Sequence, residues 1–330
     1  MNPPLAKQLW VWAAFPNCER SEVIPRWEMS AARLVGTAKR VAPATKLRLR
    51  RALRNVYDPR KRAPLLLHLL AVSREKLGQH FLTDASWQER IARAIRINGG
   101  VWVEIGAGHG EMTSRLARTA SKVIAIELDR RLAARLREVT APLGNVEVVE
   151  GDVLAADFGS LTRGATFSVY GNLPYYITSP ILHRLFEYAG HIAVIHAVIQ
   201  FEVAVRIVAP PGRRDYGYLS VLSQWFSRPE LVLRIPPGAF RPPPKVASAL
   251  VSLRMPGARA TNDVSDEKAF LDFVKECFAQ KRKTLRNNLR ARLGTRAEGI
   301  LREAGLSPDA RAEQLSISQF AALFQLLQGK

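Results

Sequence analysis

From residue 101 onward the chain alternates short β-branched apolar runs with stretches of helical period, and this rhythm most restricts the fold. The runs are Val101–Ile105, Lys122–Ile126, Val146–Val149, Phe167–Tyr170, Ala193–Ile199, Leu231–Leu233 and Ala249–Leu253. Strands spaced by helix-length segments predict βαβ units around a largely parallel sheet, an α/β fold. The first two helices are expected over Glu111–Arg118 and Arg130–Val139. After Leu253 the turn-rich segment 255–266 predicts a linker. Beyond it the period is helical over Glu267–Phe278, Thr284–Leu293, a short stretch ending near Gly305, and Ser318–Leu327, which predicts a small helical second domain.

The first strand runs into Glu104-Ile105-Gly106-Ala107-Gly108-His109-Gly110. Glycines here allow a sharp turn and close approach of a ligand to the backbone, with a helix N-terminus behind it. A dinucleotide site would space its glycines as GxGxxG, but the third falls one position early and Glu111 follows. A negative side chain is a poor neighbour for a pyrophosphate, so the loop favours a cofactor without phosphates, and Glu104 suits a cationic one. S-adenosyl-L-methionine meets both conditions. Glu127 ends the next strand about 20 residues past the glycines, where a carboxylate can accept both ribose hydroxyls. Asp152 ends the third and can accept from the adenine amino group of the cofactor. Each acid alone is an ordinary strand-end residue. Three at successive strand ends, on the edge where open α/β sheets bind ligands, point to a site.

The fourth strand ends in Tyr170-Gly171-Asn172-Leu173-Pro174-Tyr175-Tyr176. An exocyclic amino nitrogen of a base is a weak nucleophile because its lone pair is delocalised into the ring. The Asn172 side-chain oxygen, paired with the Pro174 or the Leu173 carbonyl, can hold both amino hydrogens and free that lone pair for attack on a methyl carbon. Proline stiffens the loop, and Tyr175 offers a stacking face for a base lifted from its helix.

The chain resembles the ribosomal RNA adenine dimethyltransferases, and within them the small-subunit enzymes. The matching stretches are Lys76-Leu77-Gly78-Gln79-His80-Phe81-Leu82, EIGAGHGEMT, IELDRRLAARL, EGDVL, GNLPYYITSPIL, RIPPGAFRPPPKVASALV, AQKRKTLRNNL and RAEQLSISQFAAL, which cover residues 74–330 in the family's order. The resemblance implies a Rossmann-like S-adenosylmethionine-dependent methyltransferase sheet over 73–255 and a helical RNA-binding domain over 256–330. It implies cofactor contacts at His80, Leu82, Gly106, Glu127, Asp152 and Asn172, although the family often carries asparagine at the His80 position. It further implies that Tyr175 and Phe240 close on the two faces of the target adenine, with Leu173 and Pro174 completing the catalytic loop. By pattern alone Phe240 is a core residue. The implied reaction is dimethylation of two adjacent adenines in a hairpin near the 3′ end of small-subunit rRNA, with a role in subunit biogenesis. A large-subunit rRNA methylase, or a mitochondrial methylase that also serves in transcription, is the alternative.

Charge supports a polyanionic partner. The net charge is +20, and 17 of it comes from residues 1–72, with 14 Lys/Arg against 4 Asp/Glu, and from 281–296, with 7 against none. Lys281, Lys283 and Arg286, with Arg282 and Arg290, are expected on a helical segment over 279–288 that grips RNA phosphates. The expected partner is small-subunit rRNA or a pre-30S-type particle, bound by a monomer. Cys18 and Cys277 stand apart from any Cys/His cluster, so no disulfide framework or metal site is expected. No apolar run approaches the roughly 20 residues of a membrane span. A cytoplasmic enzyme is expected, or a mitochondrial one if the Arg-rich, acid-poor residues 1–72 are a transit peptide; a dispensable arm or a start codon set too far upstream are the other readings of that stretch.

Overall fold

A computed structural model describes residues 79–328; the extension 1–72, Cys18 and Lys76–Gly78 of the first matched stretch lie outside the described residues. The described chain opens with β1 (Phe81–Leu82), followed by α1 (Ala85–Ile95). Asp84 starts α1 by accepting from the Ser86 and Trp87 amides at 2.9 and 3.2 Å. Next come β2 (Val101–Ile105), α2 (Glu111–Ala117), β3 (Lys122–Glu127), α3 (Arg130–Thr140) and β4 (Val146–Glu150). Then follow α4 (Phe158–Thr162), β5 (Phe167–Asn172), α5 (Thr178–Phe186), β6 (Ile192–Gln200), α6 (Phe201–Val208) and α7 (Tyr218–Phe226). The sheet is completed by β7 (Arg228–Ile235) and β9 (Ser248–Arg254), with β8 (Phe240–Arg241) between them in sequence. The C-terminal helices are α8 (Glu267–Cys277), α9 (Leu285–Asn288), α10 (Arg290–Leu293), α11 (Ala297–Glu303) and α12 (Ile317–Gln328).

All the expected strands form, in a seven-stranded sheet ordered β4-β3-β2-β5-β6-β9-β7. The first five are parallel, and β9 and β7 add antiparallel at the β6 edge. Strands covered on both faces need apolar side chains on both sides, which is why VWVEI and KVIAIE show no polar alternation. One face packs on α1 and α2 through Ile91, Trp102, Leu116 and Val198. The other carries Phe158, Leu182, Ile195 and Val251 in an apolar cluster that continues into Phe270, Phe273, Leu301 and Phe324 of the C-terminal helices. Each such fully buried side chain contributes about 1.5–3 kcal/mol relative to exposure. Trp225 fastens α7 to α8, its ring tilted against that of Phe270 at 4.5 Å and its Nε1 donating to Glu267 at 3.2 Å.

The segment expected to be one helix from Thr284 to Leu293 is broken into α9 and α10, and 279–283 is a turn. The Asn288 side-chain amide closes that turn by donating to the Cys277 and Gln280 carbonyls at 2.7 and 3.3 Å, and the Thr284 hydroxyl accepts from the Asn287 amide at the start of α9. Lys281, Arg282 and Lys283 therefore sit on the turn, correcting the helical placement expected over 279–288. Among the described residues no helix is long and apolar enough to cross a membrane.

Candidate active site

The strand order reverses between β2 and β5, and the crevice beyond their carboxyl ends is where an open α/β sheet receives a ligand. The glycine loop follows β2 and the Asn172 loop follows β5, so both face this crevice. Their register is tight. Ile105 lies opposite Gly171, and a Cβ at Gly171 would stand 3.1 Å from the Ile105 carbonyl oxygen and 2.7 Å from Leu173 Cδ2. Gly110 begins α2 at φ +90°, and a Cβ there would stand 2.7 Å from Leu136 Cδ1. Both positions hold the loops where they are by lacking a side chain.

Glu127 organises the corner beyond β3. It is buried, and its two carboxylate oxygens accept from the Gly108 and Asp129 amides, each at 2.9 Å. Those bonds leave one lone pair on each oxygen for ribose hydroxyls. Asp152, one strand further out, accepts from the Leu154 amide at 2.9 Å through Oδ1, which leaves Oδ2. Leu128, Leu154 and Tyr176 are exposed apolar residues beside these acids and suit a flat purine. Glu104 lies deeper. Burial, with smaller contributions from Glu111 and Glu127, pushes its carboxyl up to about 8 against the opposing effect of Thr113. Its Oε2 is buried with no hydrogen-bond partner among the described residues. A buried unsatisfied carboxyl surrounded by acids is a place that gains from a nearby cation. The corner thus fits the charge and the absence of phosphate that S-adenosyl-L-methionine presents.

At the Asn172 loop, Asn172 Nδ2 donates to the His80 carbonyl oxygen at 2.8 Å. This fixes the amide with its nitrogen turned toward the N-terminal segment and its oxygen free to accept. The Pro174 carbonyl already accepts from the Ile177 amide at 3.1 Å and the Thr178 hydroxyl at 3.2 Å. Leu173 is buried, and its amide donates to the Val198 carbonyl at 3.0 Å. The Tyr175 hydroxyl bonds the Ser248 hydroxyl at 2.5 Å, and its ring lies 5.5 Å from that of His80. Burial raises the phenol above its ordinary value, so it stays protonated.

The pairing of β1 with β8 joins the remaining residues: Phe81 lies opposite Arg241 and Leu82 opposite Phe240. His80 meets this segment too, its Nδ1 donating to the Pro242 carbonyl at 2.7 Å. The imidazole is thus engaged with Pro242 and Tyr175. Phe240 is fully buried, in one cluster with Leu82, Ile91, Trp102 and Tyr170, and shows no face to the crevice. Gly106, Glu127, Asp152 and Asn172 gather at the strand ends, while Leu82 is buried in the cluster with Ile91, Trp102 and Phe240.

The basic residues divide. Arg286 bridges Glu298 and Asp309, each at 3.4 Å, and Lys281 lies 3.8 Å from Glu313 and donates to the Arg214 carbonyl. Arg282, Lys283 and Arg290 have no ion pair among the described residues. Sequence reasoning missed Ser248, which pins Tyr175, and the Arg213-Arg214 loop beside Lys281. Ser248 lies in the matched stretch RIPPGAFRPPPKVASALV, but its contact with Tyr175, like that of the Arg214 carbonyl with Lys281, arises only in the folded chain.

A family described as ribosomal RNA adenine dimethylase matches residues 71–329. A ribosomal RNA small subunit methyltransferase A from Xanthomonas campestris pv. campestris is 44% identical over 255 residues, 77% of this chain and 95% of the relative. One of the same description from Acidobacterium capsulatum is 45% identical over 259 residues, 77% of this chain and 91% of the relative. Among solved structures, a dimethyladenosine transferase from Plasmodium falciparum aligns with TM-score 0.67 at 25% identity, covering 76% of this chain and 98% of that one. The 23S rRNA methyltransferase ErmE aligns with TM-score 0.59 at 29% identity, covering 75% and 99%.

Proposed function

The chain belongs to the ribosomal RNA adenine dimethylase family of S-adenosylmethionine-dependent methyltransferases, and from that premise we propose that it dimethylates N6 of two adjacent adenines in a hairpin near the 3′ end of small-subunit rRNA. The observation that carries this reading is the Asn172 amide, oriented by its bond to the His80 carbonyl. Asn172 Oδ1 accepts one adenine amino hydrogen. The Leu173 carbonyl accepts the other, since that of Pro174 is occupied within the turn. In the first transfer both hydrogens are held and in the second the one that remains, and in each the nitrogen turns pyramidal and its lone pair leaves the ring. Bound S-adenosyl-L-methionine supplies an electrophilic methyl group. The methylated nitrogen is cationic and loses its proton to water, so the site needs no strong base.

Tyr175 stacks on the base, its ring angle fixed by Ser248. Phe240 as the second stacking face entails outward movement of the β8 segment when a base enters, because its ring is buried. Glu127 and Asp152 hold the cofactor's ribose and adenine, and Gly106, His80 and Leu82 shape its cradle. Residues 256–330 serve as the RNA-binding helical part, with Lys281, Arg282, Lys283 and Arg290 at the phosphates and Arg286 in a mainly structural role. The enzyme acts as a monomer on a partly assembled small subunit, as a step in its biogenesis. Such a substrate puts it in the cytoplasm, or in mitochondria if residues 1–72 are a transit peptide.

The test is incubation with labelled S-adenosyl-L-methionine and either unmethylated small subunits or large-subunit RNA, followed by mapping of label. Label confined to the 3′ hairpin of the small subunit supports the reading. Label confined to large-subunit RNA contradicts it.

A further inference from the structure

A second basic surface lies away from the crevice, at the opposite end of the sheet. A cavity of about 620 Å³ opens between the C-terminal end of α1 and the edge strand β7 with its neighbour β9. Arg90, Arg93, Arg96 and Arg254 line it, with Glu230 and Ser252. Arg254 lies directly opposite Arg228 across the β7–β9 ladder, and Glu230 opposite Ser252 two rungs on. Like charges facing each other across a ladder are destabilising, so nothing in the packing calls for that arginine pair. Arg96 ends α1 at φ +49°, a left-handed position that glycine fills at lower cost. Arg93 shares Glu89 at 3.0 Å in an exposed pair, and Arg90 lies over the Trp87 ring at 3.8 Å, a contact that keeps its charge. Arg96, Arg228 and Arg254 have no ion pair among the described residues.

We propose that this cavity is a second RNA-backbone site that holds phosphates of the substrate away from the target adenines. Arg90 to Arg96 spans about 9 Å along the helix, a row suited to successive phosphates of one strand more than to a single small anion. Guanidinium forks match phosphate oxygens in pairs. The row is also continuous with the catalytic face. The N-terminal end of α1 adjoins β1 and the Ala239 carbonyl, which accepts from the Thr83 and Asp84 amides, and the helix runs from there about 16 Å to the cavity. RNA leaving the Asn172 loop along this flank reaches the arginines. The inference rests on the rRNA reading above and adds to it a contact made by α1 and the sheet edge, independent of the C-terminal helices.

The test compares the unaltered full chain with R93Q/R96G/R254Q and with R93K/R96K/R254K. Each is titrated with a long unmethylated small-subunit RNA, with a short hairpin bearing only the target adenines and with phosphatidylserine vesicles, over a series of salt concentrations. Circular dichroism checks the fold, and the single exposed change R96G serves as a second, milder variant. For long RNA the glutamine variant should lower the slope of log affinity against log salt by about 2–3, R96G by about 1 or less, while the lysine variant keeps most of it. For the hairpin the slope should stay the same in all four proteins. An unchanged slope on long RNA overturns the proposal and leaves the rRNA reading standing if the unaltered chain still methylates. A lost slope in a chain that methylates no rRNA overturns that reading and keeps the cavity as an RNA site. Loss of binding to phosphatidylserine vesicles with no change on RNA assigns the cavity to an anionic membrane surface and overturns the proposal.

Discussion

The cofactor corner and the basic turn at 281–283 are both charged, yet they are built in opposite ways. At the corner, charge is buried and held by backbone: both Glu127 oxygens take amide hydrogens from loops whose positions depend on missing side chains. At the turn, charge is carried by long exposed side chains, and neighbours decide which remain available, as Arg286 shows with its two acidic partners. Backbone-defined sites are fixed by spacing along the chain. Side-chain-defined surfaces depend on what folds next to them, so counting charges overstates what they offer a ligand.

This contrast can be tested by substitution, beginning where the effect should be greatest. Asn172→Ala removes the acceptor proposed for the reacting amino group and should slow single-turnover methyl transfer by about 10²–10³-fold, with RNA affinity retained in a binding titration. Normal transfer by this variant would remove Asn172 from the mechanism. Glu127→Ala leaves two amides at the corner without their acceptor, at about 1–3 kcal/mol for each buried group. Calorimetry should record cofactor affinity down by about 10–100-fold, and an affinity equal to the parent would mean that the corner is not backbone-defined.

The third effect is on pH. With its proton-binding range pushed up to about 8 in the folded chain, Glu104 is protonated at neutrality. A cationic ligand beside it favours the carboxylate, so binding expels a proton and affinity rises as pH climbs toward 8, then levels off. In the free protein the sign is reversed: the folded state holds a proton the unfolded state gives up, so this group's stability contribution falls as pH rises from the ordinary carboxylate range to about 8. Glu104→Gln should flatten the affinity profile, and a profile unaltered by that change would place the titration elsewhere.

At the basic turn the effects should be smaller and separable. Replacing Lys281, Arg282 and Lys283 with Ala should lower the salt slope of RNA binding by about 2. Arg286→Ala should scarcely move that slope and should instead reduce stability, by less than about 1 kcal/mol given its half-exposed partners. If Arg286 lowers the slope as much as the other three together, its ion pairs open on RNA and the distinction drawn here fails.

The division also explains what was legible in the sequence. The strands and the α/β class were readable because a strand covered on both sides must be apolar throughout. The corner was readable because Gly106, Glu127 and Asp152 sit at fixed distances from strand ends. The β7 edge strand was read too short: Arg228, Pro229 and Glu230 break the apolar run, and a register shift falls between Leu231 and Leu233. The 279–288 segment was expected to be helical because its composition suits a helix, but the Asn288 side chain caps a turn across it. The Tyr175–Ser248 contact, between residues 73 apart, and the meeting of β1 with the β8 segment, 162 residues apart at His80 and Pro242, follow from tertiary folding and from no local pattern.

Whether the loop at Asn172 presents an adenine amino nitrogen to the methyl donor is decided by mass spectrometry of nucleosides released from unmethylated small-subunit RNA after incubation with the enzyme and S-adenosyl-L-methionine. The unaltered chain should yield N6,N6-dimethyladenosine, and Asn172→Ala about 100-fold less or lower at the same early time. Methyl groups on ribose or on a pyrimidine, or dimethyladenosine formed equally fast by both proteins, would contradict this.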